Sequence, residues 1–359
     1  MVGPTYFHYL LLPVWILWAI DPDPVFFQSE NLRDLKFESL AGPYTILDDG
    51  GEEISITGLK DRDGILYWHR KLRTPVCLTG TCKLIDIGIY WHCTGDFLGL
   101  EVYGEHLTKT DHSDFVAEDY DKLMEILGND WSKLREYELS DLVDEVYVDE
   151  PGVDGTSGAT KKEIAAEAVE DAVYTTHMIW HLIHVGEKEQ LMNLMAGELN
   201  EDTNLIGSLL AKDASDQYRI GVLKLLADGK LREGKWKNSL VTESLKNTDN
   251  KELQNLAIKS IAKCDYTDAS FLDYLTAAFP DFPMERKMQL LREFQKLPSI
   301  PDQLYRVLVE DIENQQDWYI IGVFQLLKNK GNYGKELTRM AGKIGETDNL
   351  ALKNILMDH

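Results

Sequence analysis

The chain has 359 residues, enough for two domains, and its 61 acidic against 37 basic residues leave a net charge of -24. Such a surface repels nucleic acid, and no basic patch interrupts it, so nucleic-acid binding is not expected. The 44% hydrophobic and 27% charged fractions are those of a folded globular protein.

Residues 1–24 carry an apolar run, "YLLLPVWILWAI" at 9–20, which then turns acidic with two prolines. The run is short for a membrane span and suits the core of an export signal, although no Lys or Arg precedes it. A buried N-terminal segment is the other reading. Residues 25–75 are mixed and polar, with "LDDGGEEISITG" at 47–58 reading as a turn and a short strand. "KLIDIGIYWHCTGDFLGLEVYG" at 83–104 is two strand-like runs about Thr94-Gly95-Asp96, rich in aromatic and β-branched residues, and predicts a hairpin. Trp91 and His92 on that hairpin suit a sheet core, with stacking on a cofactor as the alternative. Of the four cysteines, Cys77, Cys82 and Cys93 are clustered and Cys264 stands apart. The Cys77-x4-Cys82 spacing can close a disulfide in an oxidising compartment or leave two thiols. It lacks the paired CxxC of a zinc site.

"SDFVAEDYDKLMEILGND" at 113–130 predicts a helix capped by Ser113 or Asp114 and ended by Gly128-Asn129. "WSKLREYELSDLVDEVYV" at 131–148 predicts a short helix and then a strand. Thr160-Lys161-Lys162-Glu163 has the form of a capping box and predicts a long helix from 160. His177, His181 and His184 fall at i, i+4 and i+7 on it, one stripe. That spacing suits a metal, or the polar edge of a packing face. Asp111-His112 is a weak acid–base pair, and no nucleophile elbow, HExxH or Walker A motif occurs.

From residue 187 the pattern is helical only. Amphipathic segments begin at 216, 250, 284, 317 and 349, with weaker helices such as "KNSLVTESLK" and "DQLYRVLVEDIE" between them. This spacing resembles HEAT-like repeats, whose stacked hairpins make a core that no single hairpin can make. A helical cap on the first domain is the other reading.

The run Asp154-x-x-Ser157-Gly158-Ala159-Thr160 resembles the flavinylation motif of the FMN-binding domain family. That domain occurs in the flavinylated subunits of sodium-translocating NADH:quinone reductase and of the Rnf complex, and in the regulator of nitrous-oxide reductase. In the family the final threonine is esterified to the phosphate of FMN by a flavin transferase after export. The resemblance covers residues 76–185, about a third of the chain. It implies covalent FMN on Thr160, with Asp154, Ser157, Gly158 and Ala159 forming the motif around it. The family's second flavin-contacting segment usually ends in a Glu-Thr-Pro-Gly-like turn. This chain has Thr108-Lys109-Thr110-Asp111-His112 there, so contacts assigned to Thr108 and His112 depart from the family pattern. His177 is the further candidate contact. A helix opening at Thr160 would add an anion site beneath the phosphate, with Lys161 and Lys162 beside it.

The expected architecture is therefore a signal-like or anchor segment at 1–24, an α+β FMN-binding-like domain at 25–186 and an all-α HEAT-like solenoid at 187–359. The expected function is extracytoplasmic electron transfer in the periplasm or cell envelope. A flavin transferase would mature the protein, and a protein redox partner or membrane complex would dock on the solenoid. No catalytic or metal-ligating residue is assigned, so a carrier or subunit is expected rather than a free-standing oxidoreductase. The alternative is a non-redox scaffold in which Ser157–Thr160 only starts a helix.

Overall fold

Apolar residues at every second position make β5 (Leu84–His92), and its neighbours repeat the pattern. In the computed structural model six strands form one antiparallel sheet: β1 (Val25–Gln28), β2 (Phe37–Leu47), β3 (Glu53–Asp61), β4 (Leu66–Pro75), β5 and β6 (Phe97–Tyr103), in the order β1-β6-β5-β4-β3-β2. The structure describes residues 24–47, 51–62, 64–76, 83–143, 160–184, 187–202, 205–207, 215–232, 234–247, 249–311 and 316–330, with 338 and 342. Cys77 and Cys82 lie outside these residues, whereas Cys93 and Cys264 are buried free thiols.

One face of the sheet is apolar. Trp68 pairs with Trp91, Ile87 with Val102 and Ile89 with Leu100, so each pair shares that face. All six are at most 1% exposed. Each such side chain contributes roughly 1.5–3 kcal/mol by leaving water. Both indoles find acceptors, Trp68 Nε1 at Cys93 O (3.1 Å) and Trp91 Nε1 at Ile183 O (3.2 Å). Trp91 is thus a core residue, as the hairpin pattern suggests.

The opposite face is polar. Glu101 of β6 accepts from Gln28 Nε2 (2.8 Å), Tyr90 OH (2.6 Å) and Tyr103 OH (2.5 Å). Phe37 stacks on Tyr90 above it.

A one-turn helix, α1 (Glu30–Arg33), follows β1, and α2 (Ala117–Leu127) follows the sheet. Ser113 and Asp114 do not cap α2. They belong to a tight turn closed by Lys109 N→Ser113 O (2.8 Å) and Phe115 N→Leu107 O (2.8 Å). The first helical turn is held from within, by Asp119 Oδ2 accepting from Val116 N (3.0 Å), and Gly128 ends the helix as expected.

Longer helices that follow among the described residues are α3 (Val173–His184), α4 (Glu187–Glu201), α5 (Asp216–Ala227), α6 (Trp236–Lys246), α7 (Lys251–Ser260), α8 (Ala269–Ala278), α9 (Met284–Phe294), α10 (Asp302–Glu310) and α11 (Asp317–Asn329). Helices α5, α7, α9 and α11 pack in succession as one layer, and α6, α8 and α10 as another. Several starts carry a side-chain cap: Asn250 Oδ1 accepts from Leu253 N (3.0 Å), and Asp268 Oδ1 from Ser270 N (2.9 Å).

One large apolar core joins residues of the sheet to residues of the helices on both sides of position 186. Gly95, in the β5–β6 turn at φ +78°, lies so close to α4 that a Cβ would sit 2.9 Å from Lys188 O. Tyr218 OH meets Tyr67 OH (3.1 Å), and Gln217 Nε2 donates to Asp96 (3.2 Å). At the edge strand β2, the Gln190 amide accepts from Leu47 N (2.8 Å) and donates to Leu47 O (2.5 Å), standing in for a neighbouring strand. Among the described residues no helix is long and apolar enough to cross a membrane.

Candidate functional site

The expected flavin-bearing segment enters the described structure at Thr160; Asp154, Ser157, Gly158 and Ala159 lie outside it. No long helix opens at Thr160. Thr160 forms an isolated antiparallel bridge with Val143, and Lys161 N donates to Leu142 O (3.1 Å). A turn closed by Ile164 N and Ala165 N on Lys161 O (both 3.1 Å) follows, then a 3-10 turn at Ala165–Glu167. The α-helix begins only at Val173.

Burial is the reason. Ile164 and Ala168 leave the surface to pack with Leu142, Val143 and Val173 in a small separate core, with Tyr137, Leu139 and Tyr174 against it. A straight helix from 160 could not bring both the bridge and these side chains to that core. The capping-box pattern is therefore not used as a helix start, and no helix dipole stands beneath Thr160. The cations beside it remain: Lys161 Nζ lies 5.7 Å from the Tyr137 ring centroid, and Lys162 is exposed. Thr160 is half-buried, and among the described residues its hydroxyl makes no hydrogen bond.

The second segment is tied to the same region by a clasp. Thr110 N and Thr110 Oγ1 both donate to Asp171 O (2.7 Å each), just before α3. Thr108 bridges Asp114 at the base of this turn, and His112 stands exposed at its tip with φ +67°. Asp171 is the chain's other described non-glycine residue with positive φ, at +58°. Two such residues in adjoining turns are an uncommon local cost, and each is of a type that tolerates the conformation. Lys109 anchors the turn to α2 through Asp119 (2.9 Å). That contact holds Lys109 above the usual lysine range. Burial works to raise Asp119, but Lys109 and the Val116 N–H outweigh it and keep its carboxyl low.

His177, His181 and His184 form a ladder down α3. Their Nε2 atoms donate to Tyr137 O (2.7 Å), Leu134 O (3.0 Å) and Leu127 O (2.7 Å). A carbonyl can only accept, so each neutral ring carries its proton on Nε2. The Leu127 and Tyr137 carbonyls lie at the ends of α2 and of the 3-10 turn Lys133–Glu136, where helical partners run out, whereas Leu134 O also accepts from Tyr137 N (3.3 Å). Burial pushes His177 down to about 4, with the neighbouring His181 adding to the effect and the Tyr137 carbonyl opposing it. Burial likewise lowers His184, whose Nδ1 lies 3.5 Å from Asp130. Among the described residues no group of three His, Cys, Asp or Glu side chains is arranged to hold a metal ion.

Thr160 is thus tied to Val143, the 108–112 turn to Asp171 just before α3, and His177 of α3 to Tyr137. His177 spends its Nε2 on the backbone of Tyr137, the residue whose ring lies under Lys161. Sequence reasoning missed Thr110, Asp171 and Tyr137. Asp171 carried a signal, an acidic residue just before a helix, but Thr110 carried none because its partner is 61 residues away. No family model matches the chain, and no curated protein or solved structure does so.

Proposed function

We propose that the chain is an exported flavoprotein that carries FMN esterified to Thr160 and moves electrons outside the cytoplasm. The observation that carries this reading is the Asp154-x-x-Ser157-Gly158-Ala159-Thr160 run, ending on a half-buried threonine whose hydroxyl makes no hydrogen bond among the described residues. The residues at that point are compatible with a phosphoester. The hydroxyl is not engaged by described residues, and two lysines follow it directly in an otherwise acidic chain. The flavin, once bound, would supply the redox chemistry; this chain would hold it and limit its contact with water.

The paired layers of α5–α11 support a HEAT-like docking surface for a protein redox partner or membrane complex. They equally support the second reading, a cofactor-free scaffold in which the helices are the working part. The two part on a simple measurement. A flavinylated protein remains yellow after denaturation and gel filtration, and Thr160→Ala is colourless. A protein that stays colourless after co-expression with a transferase active on a control substrate supports the scaffold.

A further inference from the structure

The polar face of the sheet contains an unspent pair of charges. Arg73 on β4 and Asp86 on β5 are direct cross-strand partners. Their side chains therefore leave the same face at neighbouring positions, where opposite charges ordinarily pair. Here neither makes a hydrogen bond or an ion pair among the described residues, although Asp86 Oδ1 is wholly buried. A carboxylate in that position lacks the donors that normally offset its lost hydration.

Both residues line a cavity of about 350 Å3 at the end of β4, β5 and β6. That volume sits at the small end of the range for small-molecule sites, roughly 300–1,000 Å3. The other polar groups on its wall have described partners. Lys83 pairs with Glu105, which also feels the charge of Arg73, and His106 Nδ1 lies 3.4 Å from Tyr120 OH. The Tyr103 hydroxyl donates to Glu101, and the Tyr103 ring lies under Lys71 Nζ at 4.3 Å. Among the described lining residues, the exposed Arg73 guanidinium, the Asp86 carboxylate and an apolar wall made by Leu84 and Leu107 are left for a ligand.

A simple anion would satisfy Arg73 and be repelled by Asp86; a simple cation would do the reverse. A compact molecule with a carboxylate and an ammonium group answers both, and an aliphatic body suits Leu84 and Leu107. We propose that this cavity binds a free aliphatic α-amino acid, its carboxylate on Arg73 and its ammonium group on Asp86. Thr160 is not among its lining residues, and the proposal does not depend on a flavin being present.

The test is calorimetric titration of the full chain with L-leucine, L-valine and glycine, and then with N-acetyl-L-leucine and L-leucinamide. At least one free amino acid is expected to bind. Blocking either charged end should weaken binding at least about tenfold, the scale of one lost charge-assisted contact. Asp86→Asn and Arg73→Gln should each do the same while the circular dichroism spectrum stays that of the parent. If a variant does not fold, the blocked ligands still decide the matter on the unmodified protein. Absence of binding by all three free amino acids at millimolar concentration overturns the proposal. So does equal binding of the blocked and free forms, which would mean that the charge pair is not the receptor.

Discussion

Replacing His177 by Gln tests the histidine ladder through its pH dependence. In the folded chain His177 is held neutral, its pKa pushed down from 6.5 to about 4 by burial. The unfolded chain takes up that proton near the ordinary value, so between these limits it binds more protons than the folded chain. Stability contributed by His177 is therefore complete above about pH 6.5, falls as the pH drops, and reaches its floor near pH 4. The full shift corresponds to roughly 3 kcal/mol, and allowing for solvent at the ring's edge leaves about 2 kcal/mol. Glutamine can still donate to Tyr137 O but does not titrate. Urea denaturation at about pH 7 and about pH 4.5 should show the parent losing about 2 kcal/mol more than His177→Gln between the two conditions. A similar loss in both proteins would refute the assignment, whatever the variant's stability at either pH. Buried His69, also held down to about 4, is common to both proteins and cancels in the comparison.

Other substitutions probe how the parts join. A Cβ on Gly221 of α5 would stand 2.1 Å from Thr94 Cγ2 in the β5–β6 turn. Gly221→Ala should therefore cost about 1–3 kcal/mol in chemical denaturation. Adding Thr94→Ser, which removes that methyl but keeps the hydroxyl on Asp96, should recover most of it; no recovery would mean that α5 is not seated on the turn. Lys287, 3% exposed, holds Asp311 at 2.8 and 2.9 Å. Lys287→Met should lower stability by about 3–5 kcal/mol because it leaves a buried carboxylate without its cation, and a loss well under 1 kcal/mol would contradict that burial. Thr110→Val removes one of the two bonds to Asp171 O. It should raise amide hydrogen exchange around Asp171 and Val173 while leaving β5 unchanged, and unchanged exchange at both places would show the clasp to be dispensable.

Local patterns were legible wherever the fold follows a local rule. The Thr94-Gly95-Asp96 turn joins β5 and β6 as its sequence suggests, and Gly128 ends α2. The helix starts at 216, 251, 284 and 317 fall at or next to the positions read from periodicity. Strand β4 was hidden because Arg70 falls on the same face as Leu66, Trp68 and Leu72 and interrupts their apolar alternation. The helix expected at Thr160 failed because a capping pattern is a local preference of about 1 kcal/mol. Burying Ile164 and Ala168 against Leu142 outweighs it. The His177, His181 and His184 stripe was visible, but its partners were not, because the accepting carbonyls lie 40, 47 and 57 residues earlier.

The measurement that bears most directly on the proposed flavoprotein is intact mass after co-expression with an exported flavin transferase, for the parent and Thr160→Ala side by side. The account predicts a gain equal to one esterified FMN in the parent and none in the variant. An unmodified, folded parent, produced beside a transferase that labels a control substrate, would contradict it and leave the paired helices as the place where the function lies.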